Sequence, residues 1–142
     1  PITTMTHYMK QWWLKYGVRA VGKYMIKTEP YKDLYFLDDA LEVRKNVQIP
    51  LIYVGGCSSR TGIEKVLRSG FEAFQMGRAL INEPDFVNRM RHGEERCGCD
   101  HVNYCIARMY SLEMACHKHR NDLPDNIKAE IDRIKSENGT EV

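Results

Sequence analysis

The chain is 142 residues long, 43% hydrophobic and 28% charged, with 10 Gly, 5 Pro and 5 Cys, a composition that excludes disordered, collagen-like and low-complexity classes. Twenty-one Lys and Arg against nineteen Asp and Glu leave a formal net charge of +2, too mild by itself to point to nucleic acid or an anionic membrane. No apolar run approaches the roughly 18 residues of a spanning helix and no charged-then-apolar leader opens the sequence, so a cytoplasmic protein is expected.

Residues 1–30 form an aromatic-rich lead-in. Tyr8, Met9, Trp12 and Trp13 cluster at three- and four-residue spacing, which predicts a helix over 4–15. Gly17 and Gly22 interrupt the next stretch, and 18–26 reads equally as strand or loop. These aromatics are expected to pack against a larger body. Pro30 then breaks the chain, and Leu34, Leu37, Ala40, Leu41 and Val43 form one apolar stripe of a helix. Acids lie early in it and Arg44-Lys45 at its end, as the helix dipole favours.

Residues 31–95 alternate helix and strand. Leu51 to Val54 is a continuous apolar run ending in Gly55-Gly56, which predicts a strand of the parallel type, buried on both faces. Ser58-Ser59 can cap a helix over about 60–69 with Ile63, Val66 and Leu67 inward, and Gly70 stops it. Phe71 to Met76 is a second apolar strand, ended by Gly77-Arg78. Pro84 sits in the first turn of a further helix that buries Phe86, Val87 and Met90 and stops at Gly93. The class is α/β with a parallel sheet. Two strands cannot close such a core, and the chain opens on Pro1 with its first Met at Met5. It therefore reads as a piece of something larger.

Residues 96–142 are a Cys/His-rich stretch followed by a closing helix from about Asp125, with Ile127, Ile131 and Ile134 on one face and Gly139 at its end. Cys97, Cys99, Cys105 and Cys116 lie beside His101, His117 and His119, a density that points to metal before disulfide in a cytosolic protein. Zinc is chemically open to them, yet their spacing matches no common finger. Free thiols are the favoured reading and no metal ligand is assigned. Cys57 is expected to pack rather than react, and His7 is not expected to be catalytic.

The candidate binding residues are Gly55, Gly56, Gly77 and Arg78. Parallel strands bring their C-terminal ends to one edge, so the two glycine turns are expected to be neighbours. Glycine lets backbone amides approach a ligand, the helix N-termini beyond the turns add positive dipole ends, and Arg78 offers a planar fork for phosphate oxygens. This pattern matches the phosphate site after the last two strands of a (β/α)8 barrel.

The runs Pro50-Leu51-Ile52-Tyr53-Val54-Gly55-Gly56 and Met76-Gly77-Arg78-Ala79-Leu80-Ile81-Asn82-Glu83-Pro84-Asp85 resemble the C-terminal barrel segments of the Old Yellow Enzyme family of NADH:flavin oxidoreductases. The resemblance runs from about Tyr31 to Cys116. It implies the C-terminal portion of a (β/α)8 TIM barrel, about its last two strands with their helices, plus a helical tail. It also implies FMN held through its phosphate by Gly55, Gly56, Gly77 and Arg78, NAD(P)H as reductant and a small electrophilic substrate. The family's catalytic groups sit on earlier strands and no stretch here matches them, so no catalytic residue is assigned. Its dienoyl-CoA reductase branch holds a [4Fe–4S] cluster on a Cys-x-His-Cys-Asn-x-Cys motif. This chain has Val102 where that motif needs a cysteine, so an intact cluster is not expected. Association with a second copy or with the missing barrel half is expected to cover the sheet; neither nucleic acid nor membrane is expected as a partner. Two alternatives stand beside this reading: a sugar-phosphate TIM-barrel enzyme, and a non-catalytic half-barrel that binds metal or oligomerises.

Overall fold

The computed structural model describes residues 2–26, 29–108 and 114–139. In chain order the elements are α1 (Ile2–Tyr8), α2 (Trp12–Met25), α3 (Leu37–Asn46), β1 (Ile52–Val54), α4 (Arg60–Arg68) and β2 (Ala73–Gln75). After them come α5 (Arg78–Asn82), α6 (Phe86–Arg91), α7 (Tyr104–Ala107), a 3-10 turn (His117–His119) and α8 (Asp125–Glu137). The chain divides into two compact units: Tyr31–Cys99 is continuous, whereas residues up to Pro30 join those from Asp100 onward in the other.

The continuous unit is built on β1 and β2, which pair in parallel with Ile52 opposite Ala73, Tyr53 opposite Phe74 and Val54 opposite Gln75. Tyr53 packs into a core with Leu37, Cys57, Ile63, Val66 and Phe71. Each such aliphatic or aromatic side chain contributes about 1.5–3 kcal/mol when fully buried. The expectation of a strand buried on both faces is corrected here: Ile52 and Val54 are 66% and 57% exposed. Strand side chains alternate, and the helices cover only the Tyr53 face, so the other face of β1 stays bare. A second cluster of Ala79, Phe86 and Cys97 anchors α5 and α6.

α4 begins and ends where its sequence dictates. The Ser59 hydroxyl accepts from the Gly62 amide at 3.1 Å, and Gly70 takes a left-handed φ of +90° just past the end. Ile63 and Val66 are buried while Leu67 is 41% exposed, so the inward face is narrower than expected.

The discontinuous unit starts with a helical hairpin. One helix over 4–15 and an open choice between strand and loop over 18–26 are both replaced by α1, a break at 9–11, and α2. Gly22 explains the second difference. A Cβ there would lie 3.5 Å from Ile2 Cδ1, so the glycine that reads as a helix breaker is where α2 approaches α1. Arg19 Nε donates to Thr6 Oγ1 at 3.1 Å one turn along, which fixes the two helices as antiparallel. The Glu130 carboxylate on α8 accepts from the amides of Thr3 and Thr4, each at 2.8 Å, and from the Thr4 hydroxyl at 2.7 Å. The core of this unit is Val102, Tyr104, Ile127 and Ile131.

Candidate functional site

The in-register pairing of β1 and β2 brings both glycine turns to one sheet edge, since Gly55 follows Val54 and Gly77 lies two residues beyond Gln75. The turns differ in character. Gly55 is buried, and a Cβ on it would strike Phe36 Cδ2 at 2.9 Å. Gly56 has φ +74°, and its Cβ would come within 2.8 Å of the Leu34 backbone nitrogen. The first turn is therefore lined by the chain's own 32–36 segment, with the Leu34 amide donating to the Gly56 carbonyl at 3.3 Å. Gly77 is exposed, and a Cβ there would meet nothing within 4 Å.

Tyr31 connects the two turns. Its hydroxyl reaches the Gly56 carbonyl at 3.0 Å and donates to Asp33 Oδ1 at 2.6 Å, and the Arg78 guanidinium lies 5.8 Å from the centre of its ring. Such a cation over an aromatic face contributes about 0.5–1 kcal/mol at an exposed position. The Ser58 hydroxyl donates to Asp33 Oδ1 at 2.8 Å, and Arg96 forms a salt bridge to Asp33 Oδ2. Burial pushes the Tyr31 phenol upward, and the adjacent Asp33 carboxylate pushes it further. Burial also works against the Asp33 carboxylate, but hydrogen bonds from Tyr31, Ser58 and Arg96 outweigh it and hold the pKa below its usual range. A protonated phenol thus sits on an ionised carboxylate at neutral pH.

The amides at the start of α4, which the phosphate reading would offer to a ligand, face other acceptors. Glu95 Oε1 takes the Thr61 amide at 3.0 Å and its hydroxyl at 2.5 Å, and the Glu95 carbonyl takes the Arg60 amide at 2.7 Å. Sequence reasoning singles out Ser58 only as a possible helix cap, a role that falls to Ser59, and gives no site role to Glu95, Tyr31, Asp33 or Arg96. Their partners lie up to 63 positions away, as for Asp33 and Arg96, and no local spacing marks them.

None of the five cysteines is in a disulfide. Burial, then the Asp33 charge, raises Cys57 to about 11, and burial also raises Cys97 and Cys116. These three are held as thiols rather than nucleophilic thiolates at neutral pH. Among the described residues, no three His, Cys, Asp or Glu side chains are grouped to hold a metal ion. His7 is exposed and meets the Tyr8 ring edge-on, with 4.9 Å between ring centres. Among the described residues, no helix is long and apolar enough to cross a membrane.

No family model matches the sequence, and no solved structure matches it. Among curated proteins, the chain is similar to a 4,4'-dithiodibutanoate disulfide reductase of Rhodococcus erythropolis, with 34% identity over 97 residues. The match takes in 68% of this chain and 24% of that protein, so the chain spans about a quarter of the relative it matches. That relative bears the name of an oxidoreductase.

Proposed function

We propose that the chain is the C-terminal part of an FMN-dependent NAD(P)H oxidoreductase built on a TIM barrel, and that it contributes the turns facing the flavin phosphate. The partial match to a disulfide reductase supports the general oxidoreductase role. The finer reading rests on one observation: Tyr31 holds the Gly56 carbonyl through its hydroxyl and the Arg78 guanidinium over its ring. The open Gly77 turn beside Arg78 has room for a phosphate, whereas Gly55 and Gly56 are lined by Leu34 and Phe36 and shape the floor beneath. FMN, when bound, supplies the hydride chemistry. This chain's residues bind and orient: Gly77 leaves its backbone approachable, Arg78 contributes positive charge, and the Asp33–Arg96 pair holds the Tyr31 hydroxyl in place.

The electrophile is a small molecule with a reducible bond, either an activated alkene or, by analogy with the name of the relative, an organic disulfide. Cys57, Cys97 and Cys116 are poor candidates for attacking a disulfide, because burial holds all three protonated. Reduction by hydride needs none of them.

Equilibrium dialysis against FMN tests the reading. Arg78→Ala is expected to weaken flavin binding by about 1.5–3 kcal/mol, the worth of a charge-assisted contact. Unchanged affinity would move the phosphate elsewhere. A preference for a sugar phosphate over FMN in the same dialysis would favour the isomerase or aldolase alternative.

A further inference from the structure

The near-neutral total charge conceals a segregated one. Lys10, Lys15, Arg19, Lys23 and Lys27 all precede the first acid of the chain, Glu29. Inside that cationic stretch lies α2, whose outward side is aromatic: Trp12 is 71% exposed, Trp13 63%, Tyr16 65% and Tyr24 88%. Helical spacing sets Trp13, Ala20, Val21 and Tyr24 on this outward side and Val18 and Gly22 toward α1, with Arg19 along the border and Lys15 on the side of Gly22. An apolar patch of this kind on a protein surface marks an interaction site.

We propose that α2 lies flat in the headgroup region of an anionic lipid bilayer. Three features favour that occupant. Trp and Tyr rings combine an apolar body with a polar edge and settle at the membrane–water boundary. Cations flanking an aromatic helix, with no acid among them, fit anionic headgroups. The helix, about 21 Å long at the usual rise, is too short to span and long enough to lie in the plane. A second copy of this chain is a poorer fit, because a two-fold α2–α2 contact would set the same cations against one another. The proposal draws on none of the residues at the flavin-phosphate turns.

Both tryptophans of the chain open α2, so tryptophan emission reports on this helix alone. The chain is titrated with phosphatidylcholine vesicles with and without phosphatidylserine. The expected result is a blue shift with the serine-containing vesicles, at least about tenfold weaker partition into phosphatidylcholine alone, and loss of binding as salt rises. The double variant Lys10→Glu, Lys15→Glu, with its helical circular dichroism retained, is expected to lose the same preference. Emission unmoved by phosphatidylserine vesicles would overturn the proposal. So would an equal shift with phosphatidylcholine alone, or a shift that grows with protein concentration in the absence of vesicles, which would assign the face to a second copy.

Discussion

The Glu130 carboxylate accepts from both the amide and the hydroxyl of Thr4, across 126 positions of sequence. One buried side chain of α8 thereby satisfies the first turn of α1, where backbone donors have no partner within the helix. Replacing Glu130 by Ala is expected to lower stability by about 1.5–3 kcal/mol, the cost of losing hydrogen bonds to a charged acceptor. A urea midpoint unchanged from the parent, at unchanged slope, would show that this cap contributes nothing.

The same carboxylate fixes a pH dependence. Burial raises the Glu130 pKa, but donation from Thr4 and Thr3 outweighs this and leaves it below the ordinary 4.5. A folded pKa below the unfolded one gives stability that is complete above pH 4.5 and is lost as pH falls through the folded value. Glu130→Gln is expected to flatten the acid limb of a stability–pH curve; an acid limb identical to the parent's would refute the assignment.

His117 titrates on the other side of its reference. Burial depresses it below 6.5, with the Asp100 carboxylate at 3.1 Å pulling the opposite way. Protonation therefore favours the unfolded chain, and the imidazole begins to cost stability as pH drops below 6.5. Proton NMR of the ring should show a midpoint under 6.5, and Asp100→Asn should lower it further by removing the opposing charge. A midpoint that rises in that variant would contradict the arrangement.

Among the cysteines, Cys57 is expected to resist alkylation at mildly alkaline pH, since its thiol ionises only near 11. Peptide mapping after a timed iodoacetamide pulse should find the half-buried Cys99 labelled ahead of it. Iron and sulfide in anaerobically prepared protein are expected well below the roughly four of each that a full cluster holds. A brown protein with a full complement would mean that another ligand replaces the cysteine missing at Val102.

The bare face of β1 leads to a further expectation. Ile52 and Val54 stand exposed on a strand that, among the described residues, pairs only with β2, a combination that promotes association. Light scattering should show mass rising with concentration, while tryptophan emission from α2 stays constant. Ile52→Lys should suppress the rise. If that variant associates as strongly as the parent, the sheet is not the contact.

Local signals in the sequence carry over well into the continuous unit. Ser59 before a helical stripe, Gly70 after it and the apolar runs ahead of Gly55 and Gly77 each act within a few residues, and each element lies where its signal stands. The cradle around Tyr31 is not legible in the same way, because Asp33 meets Arg96 only after the chain has closed. Nor is α2. Its glycines and outward aromatics break the usual amphipathic pattern, and only the Ile2–Gly22 approach reveals why a glycine belongs in that helix.

Division into a continuous and a discontinuous unit imposes an order on synthesis. Residues 31–99 leave the ribosome as one stretch and can close as they emerge. Thr4 must wait for Glu130, 126 residues later, which at about 5–20 residues per second is roughly 6–25 s. During that interval α1 and the aromatic α2 are out in the cell without α8. A nascent-chain chaperone that reaches α1 in that window meets its Thr3 and Thr4 amides still without their Glu130 partner.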